Sequence, residues 1–347
     1  MKNGKFGFGI VGCGVIGPTH ANGIVANNDV AELIAVADVD ESKAKKMAED
    51  FKCNLYYRDY RDLLKNKDID IVNICTPSGL HGEVVIEAAK AGKHVIVEKP
   101  LEVTLKKCDA AINACRKNNV KMAVIFQRRT FESSKILKKA IEDKRLGKMI
   151  LGDAYLKYYR SPEYYKSAGW RATWELDGGG ALMNQGIHGI DLINWLMGGI
   201  SSVYAYCETK ARDIKVEDTA VVLVRYKNGA LGVIEGTTSI FPGLATRFEI
   251  SGDKGTVVME EQSFIKWEIQ GETEKPDIGK KEKVGGSSDP KAITNVGHAA
   301  QIRDMIEAIK NNREPLVNGE EGKKAVKVIL AIYESSRRKK EVKISEE

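Results

Sequence analysis

At 347 residues the chain is long enough for two domains, and 43% hydrophobic with 29% charged residues is ordinary globular usage, which excludes a disordered or fibrous chain. Its 54 basic and 48 acidic residues leave a formal +6 that is spread over both halves, so no basic stripe for a nucleic acid is expected. Six cysteines without a C-x-x-C pair and five scattered histidines predict neither disulfides nor a metal site. No run reaches the ~18 apolar residues of a membrane span, so a cytoplasmic chain with no membrane partner is expected. Lys2 and Lys5 ahead of FGFGIVGCGVIG imitate a signal peptide, but no small-residue cleavage pattern follows.

Taken in chain order, the first third alternates short apolar runs with helical periodicity. Strands are expected at 6–11, 32–37, 69–75, 94–97 and 121–126. Helices are expected at 18–27, 42–51, 59–64, 82–91 and 105–118. That alternation predicts an α/β N-terminal domain, a Rossmann doubly wound parallel sheet over residues 1–126. After Phe126 the rhythm changes. A helix at 133–143 is followed by longer, partly alternating strands at 150–159, 203–210, 220–226, 231–235, 247–250, 256–260 and 265–269. Asn228-Gly229 marks a hairpin between two of them. Residues 127–347 are therefore expected to form an α+β domain with a mostly antiparallel open sheet. The polar stretch 275–296 reads as a mobile surface loop, and helices at 299–310 and 320–338 close the chain.

Gly12-Cys13-Gly14-Val15-Ile16-Gly17 fits G-x-G-x-x-G between an expected strand and an expected helix, the context in which the pattern signals a dinucleotide site. Gly12 allows the turn, Gly14 lets a pyrophosphate approach, and the helix N-terminus offers free N–H groups to it. Asp38 ends the second strand about 20 residues later. A carboxylate there accepts from the ribose hydroxyls and repels a 2′-phosphate, and no arginine follows, so NAD is expected over NADP.

Thr76-Pro77-Ser78-Gly79-Leu80-His81 and Glu98-Lys99-Pro100 follow further strands, at the carboxyl ends where such sheets hold ligands. Pro100 is a candidate for a cis bond, whereas a lone lysine such as Lys99 is more commonly a surface residue. The GCGVIG fingerprint, TPSGLH, EKP and the later GGGALMNQGIHGIDL together resemble the Gfo/Idh/MocA oxidoreductase family, over essentially the whole chain. The resemblance implies a two-domain NAD(P) enzyme acting on a ring hydroxyl of a sugar or inositol. It makes Lys99 and His188 the catalytic pair, and Asn184 stands where many members carry an acid. His188 would take the hydroxyl proton, while Lys99 would stabilise the developing alkoxide. Val15, Ile16, Thr76, Pro77, His81, Glu98, Lys99, Gln127, Trp170 and Arg171 join Gly12, Gly14 and Asp38 as implied cofactor contacts. His81 reads equally as a helix-start residue. Asp191, three residues after His188, either orients the imidazole or is a surface or capping acid. His20, His94 and His298 read as structural or exposed.

The substrate side is expected from Gln127, Arg128, Tyr159, Arg160, Arg171, Asn184, Lys99 and His188, with Arg129 counted among four arginines near the cleft. Arginine forks suit carboxylate or phosphate, and aromatic faces suit a sugar or base. The strings FQRR, KYYRS, GWR and DGGGALMNQGIHGIDLINWLMG are similar to those of UDP-N-acetyl-2-amino-2-deoxyglucuronate dehydrogenases within the family. That resemblance implies NAD-linked oxidation of a sugar C3 hydroxyl to a ketone, ahead of an aminotransferase in surface-polysaccharide synthesis. An inositol or free-sugar dehydrogenase is the alternative on the same scaffold, and a non-catalytic NAD-binding regulator is the third reading. A homo-oligomer, dimer or tetramer, is expected through the open sheet.

Overall fold

The computed structural model describes residues 4–278 and 294–345. It divides into two compact units, Met1–Gln127 with Asn295–Lys323, and Arg128–Thr294 with Lys324–Glu347.

The first unit holds β1 (Phe6–Val11), α1 (Gly17–Val25), β2 (Ala31–Ala37), α2 (Glu41–Asp50), β3 (Leu55–Tyr57), α3 (Tyr60–Leu64), β4 (Ile71–Ile74), α4 (His81–Lys90), β5 (His94–Val97), α5 (Leu105–Lys117) and β6 (Met122–Val124). Its six strands are all parallel, in the order β3-β2-β1-β4-β5-β6. Order reverses beside β1, so the crevice at the strands' carboxyl ends opens there. Largely apolar runs make the central strands: all six residues of β1 and all four of β4, Asn73 among them, are buried. Phe8, Ile10, Val36, Ile71 and Ile96 share one core with Ile24 and Met47 from the helices. Asp40, Asp59 and Thr104 cap α2, α3 and α5 through their side-chain oxygens.

The second unit begins with α6 (Glu132–Glu142), β7 (Met149–Lys157), α7 (Pro162–Lys166), a π-helical turn at Ala181–Gly186, and α8 (Ile187–Leu196). Six strands follow: β8 (Ile200–Glu208), β9 (Thr219–Tyr226), β10 (Leu231–Thr237), β11 (Arg247–Gly252), β12 (Gly255–Glu260) and β13 (Ser263–Ile269). The chain then returns to the first unit for α9 (Val296–Lys310), passes back to the second within α10 (Gly319–Arg338), and ends in β14 (Val342–Lys343). The eight strands are ordered β13-β12-β11-β7-β10-β9-β8-β14, antiparallel throughout except for the parallel pair β7–β10. Asn228-Gly229 does turn β9 into β10. Along β9, alternate residues are buried and exposed, so the helices cover one face and leave the other open.

The sequence reading cut the chain once, after Phe126, whereas the chain crosses between the units three times because α9 belongs with the first. There Asn27 Nδ2 donates to the Ala299 carbonyl at 2.9 Å, and Arg303 reaches both oxygens of Asp29 at 2.6 and 2.8 Å. Most of the expected loop over 275–296, namely 279–293, lies outside the described residues.

Candidate active site

The glycine turn sits at the end of β1. Gly12 has φ +100°, and a Cβ there would lie 2.6 Å from both the Cys75 carbonyl carbon and its oxygen, so only glycine fits. Around Gly14 the space is open, and no side chain caps the N-terminus of α1. Asp38 leaves β2 beside this turn: its Oδ2 accepts the Cys13 N–H at 2.8 Å and its Oδ1 the Asp40 N–H at 2.9 Å. A carboxylate has about four lone-pair sites, so two remain for ribose hydroxyls. Thr76 Oγ1, just past β4, is buried without a hydrogen-bond partner among the described residues. An open anion-sized turn, an uncapped helix and an orphaned hydroxyl fit a dinucleotide. Cys13 itself is inert, because burial and then Asp38 push its thiol up to about 12. Asp38→Ala is expected to weaken NADH about tenfold or more and to close the gap to NADPH, as read by fluorescence titration. An unchanged preference would contradict the role of Asp38.

Behind β5 the structure gathers His20 and His298, which the sequence reading left as structural, around Glu98, which it assigned to the cofactor. His20 Nε2 and His298 Nε2 lie 3.0 and 3.1 Å from Glu98 Oε1, and all three side chains are buried. The Asn73 amide nitrogen meets His20 Nδ1 at 2.9 Å, which puts the ring proton on Nε2, facing Glu98. Burial alone would raise the Glu98 carboxyl, but hydrogen bonds from His20 and His298 carry it well below the carboxylate range. Its other oxygen accepts the Lys99 N–H at 3.1 Å, so the Glu98 carboxylate, held by two histidines, fixes the backbone from which Lys99 projects. The Lys99–Pro100 bond is cis. His81 is also internal, with ring nitrogens 2.7 Å from the Pro100 carbonyl and 2.9 Å from the Thr76 carbonyl. It ties together the loops after β4 and β5. Burial holds its ring below the ordinary histidine pKa. Pro77 and Gln127 close this group at the ends of β4 and β6, both half-buried.

In the second unit, His188 lies in the first turn of α8, half-buried, and Asn184 in the π-helical turn before it. Glu217 shapes that turn: its oxygens accept the Gly180 and Leu182 N–H groups at 2.9 and 2.8 Å and the Tyr333 hydroxyl at 2.8 Å. A Cβ on Gly180 would lie 1.8 Å from the Glu217 carbonyl oxygen, so the glycine permits this approach. Burial pushes the Glu217 carboxyl up to about 7 against the pull of those donors. Beside the turn, Arg160 Nη2 donates to Gln185 Oε1 at 2.6 Å. Arg171 donates to the Tyr164 hydroxyl at 2.6 Å and stacks over the Tyr164 and Trp170 rings at 4.2 and 4.7 Å. Tyr159 meets Phe241 edge to face, with the Arg212 guanidinium over its ring. Tyr164, Gln185, Asp177 and Glu217 were absent from the expected site. Gln185 and Asp177 stand inside a string already singled out and Tyr164 three residues after another, so motif membership or proximity was the available signal; Glu217 had none.

One of the four expected arginines, Arg129, is committed elsewhere. Arg129 is 1% exposed and grips Asp191 bidentately, at 2.8 and 2.6 Å, over the face of Trp195. It is thus a core ion pair with Asp191 and not a substrate contact. Arg128 donates to Thr246 Oγ1 at 3.0 Å and lies 3.7 Å from Glu261.

A parallel six-stranded sheet with a glycine turn and an acid ending the second strand is the architecture of a dinucleotide-binding enzyme domain. Residues 6–126 match the NAD-binding Rossmann fold of the GFO/IDH/MocA oxidoreductase family, and residues 138–344 match that family's C-terminal alpha/beta domain. The chain belongs to this family and is an NAD-dependent oxidoreductase. It is 30% identical to the myo-inositol 2-dehydrogenase of Thermotoga maritima, over 97% of this chain and 98% of that one. It also resembles the WlbA dehydrogenase of Bordetella pertussis, solved with NADH and UDP-GlcNAcA: TM-score 0.88 and 32% identity, covering 99% of this chain and 100% of the other. The WlbA dehydrogenase of Chromobacterium violaceum, with the same ligands, gives 0.88 and 33% over 100% and 98%. Among the described residues no helix is long and apolar enough to cross a membrane.

Proposed function

We propose that the protein is an NAD-dependent sugar dehydrogenase that oxidises the C3 hydroxyl of UDP-N-acetylglucosaminuronic acid to a ketone. The observation that carries this reading is the Arg160–Gln185–Tyr164–Arg171 cluster beside the turn that bears Asn184. Two guanidiniums on an aromatic platform suit an anionic sugar better than a neutral polyol. The full-length likeness to two WlbA dehydrogenases supports it. In this reading NAD, when bound, would supply the acceptor for the hydride leaving the carbinol carbon. His188 takes the hydroxyl proton, the Lys99 ammonium stabilises the oxygen as charge develops, and Asn184 orients the ring. Gly12, Gly14, Val15, Ile16 and Asp38 would hold the dinucleotide, with Thr76, Pro77, Glu98 and Gln127 around it and His81 behind.

A second reading, an inositol dehydrogenase, draws on the inositol-oxidising relatives and on the burial of Arg129 against Asp191. Assaying NADH formation on a panel of UDP-sugars and inositols separates the two. Turnover of UDP-GlcNAcA is expected, and turnover of myo-inositol with no UDP-sugar would overturn the choice.

The open face of the second sheet carries Leu151, Tyr206, Val221, Leu223 and Leu231, all exposed. Register aligns Tyr206 with Val221 and Tyr204 with Leu223 across β8 and β9, making a contiguous apolar patch. A second copy of the chain is the proposed cover, and light scattering that finds a monomer would count against it.

A further inference from the structure

We propose that Asp177 is a positioning residue for the reaction, acting through the Asn184 amide and supplying the negative charge that position 184 lacks. The proposal rests on the reading of Asn184 as a substrate-facing side chain. Asp177 is 3% exposed. Its Oδ2 accepts the Ala172 N–H at 2.8 Å, which would suffice to hold the loop. Its Oδ1 accepts Asn184 Nδ2 at 2.5 Å. On the other side, Asn184 Oδ1 accepts Gln185 Nε2 at 2.7 Å.

These two contacts fix which end of the amide is which. The nitrogen faces a carboxylate and the oxygen faces an amide donor, so a flipped side chain would oppose like to like at both ends. The Asn184 amide is thereby held in a single sense. Gln185 carries the arrangement onward, because its Nε2 also donates to the Tyr164 hydroxyl at 2.9 Å and its Oε1 accepts from Arg160. A buried carboxylate at one end is thereby linked through two amides to the Arg160 and Arg171 guanidiniums at the other.

The same geometry explains why position 184 is an amide here. An acid at 184 would face Asp177 oxygen to oxygen at hydrogen-bond distance, and two such carboxyls cannot both ionise. Other titratable groups around the pair are Arg160, Arg171 and Tyr164 on one side, and His188 one turn further along α8. Glu217 with Tyr333 stands behind the start of the turn.

The test compares the wild type with Asp177→Asn, Asn184→Asp and the exchanged double variant. Steady-state kinetics are run from pH 6 to 8.5 on whichever of UDP-GlcNAcA or myo-inositol the wild type oxidises, so a wrong choice of sugar leaves this test intact. Thermal melts over the same pH range need no substrate at all. Asp177→Asn is expected to lower kcat about tenfold with NADH affinity unchanged. Asn184→Asp is expected to gain an ionisation, its kcat falling about tenfold further from the wild type as pH rises, and its melting temperature falling in step. In the double variant an amide again faces a carboxylate, so the added ionisation disappears from both profiles and kcat recovers. The proposal is overturned by an Asp177→Asn enzyme with wild-type kcat, by Asn184→Asp profiles that parallel the wild type, or by a double variant that keeps the extra ionisation.

Discussion

Replacing His188 with Ala is expected to cut kcat by about 10²–10⁴ while leaving NADH affinity within about twofold. Oxidising a carbinol requires its hydroxyl proton to leave as the hydride leaves the carbon. An imidazole's ordinary pKa of about 6.5 lets the neutral ring take that proton near neutral pH. Placement favours this role. His188 is in the first turn of a well-buried helix, and the turn before it is clamped by Glu217 through the Gly180 and Leu182 N–H groups. The dinucleotide turn at Gly12–Gly17 is in the other unit, so binding and proton transfer separate in the assay. Stopped-flow hydride transfer and NADH titration on the same preparation read the two quantities. A His188→Ala enzyme that keeps more than a tenth of wild-type turnover removes the base assignment, whatever the substrate proves to be.

What the sequence revealed follows from how local each feature is. Buried parallel strands are short apolar runs whose ends are punctuated, and 6–11 and 94–97 were legible to the residue. The glycine turn and Asp38 were legible because their chemistry is carried by residues close in sequence. Strand β3 was missed: it is three residues long at a sheet edge, with no buried face to impose a pattern. The π-helical turn was missed for a different reason. No i, i+5 signal marks it, and it is shaped by Glu217, some 35 residues away. The parallel pairing of β7 with β10 likewise joins segments about 80 residues apart, beyond the reach of hairpin logic. Charged side chains were least legible of all. Arg128, Arg129, Arg160 and Arg171 look alike as letters, yet Arg129 is a core ion pair with Asp191, Arg128 meets Thr246, and Arg160 and Arg171 gather beside Asn184. His20 and His298 are 278 positions apart and meet on one Glu98 oxygen, which no spacing rule anticipates.

Asp191→Ala is expected to destabilise the second unit by about 3–5 kcal/mol, because it leaves the Arg129 guanidinium buried without its carboxylate. Both partners are 1% exposed, and Trp195 covers one face of the guanidinium, so water cannot readily replace the lost acceptor. For a unit of this size that corresponds to a fall in melting temperature on the order of 10 °C. The paired variant Arg129→Met with Asp191→Leu removes both charges and is expected to recover most of the loss, since a desolvated ion pair and an apolar pair of similar volume are close in free energy. The comparison also decides between the two readings of Asp191. If its role is the Arg129 pair, the doubly substituted enzyme turns over at close to the wild-type rate. If Asp191 orients the His188 imidazole, that enzyme regains its stability but stays slow, and its pH–rate profile loses the ionisation that belongs to the histidine. Melting curves and kcat against pH, measured on the same three proteins, distinguish a core ion pair from a catalytic one.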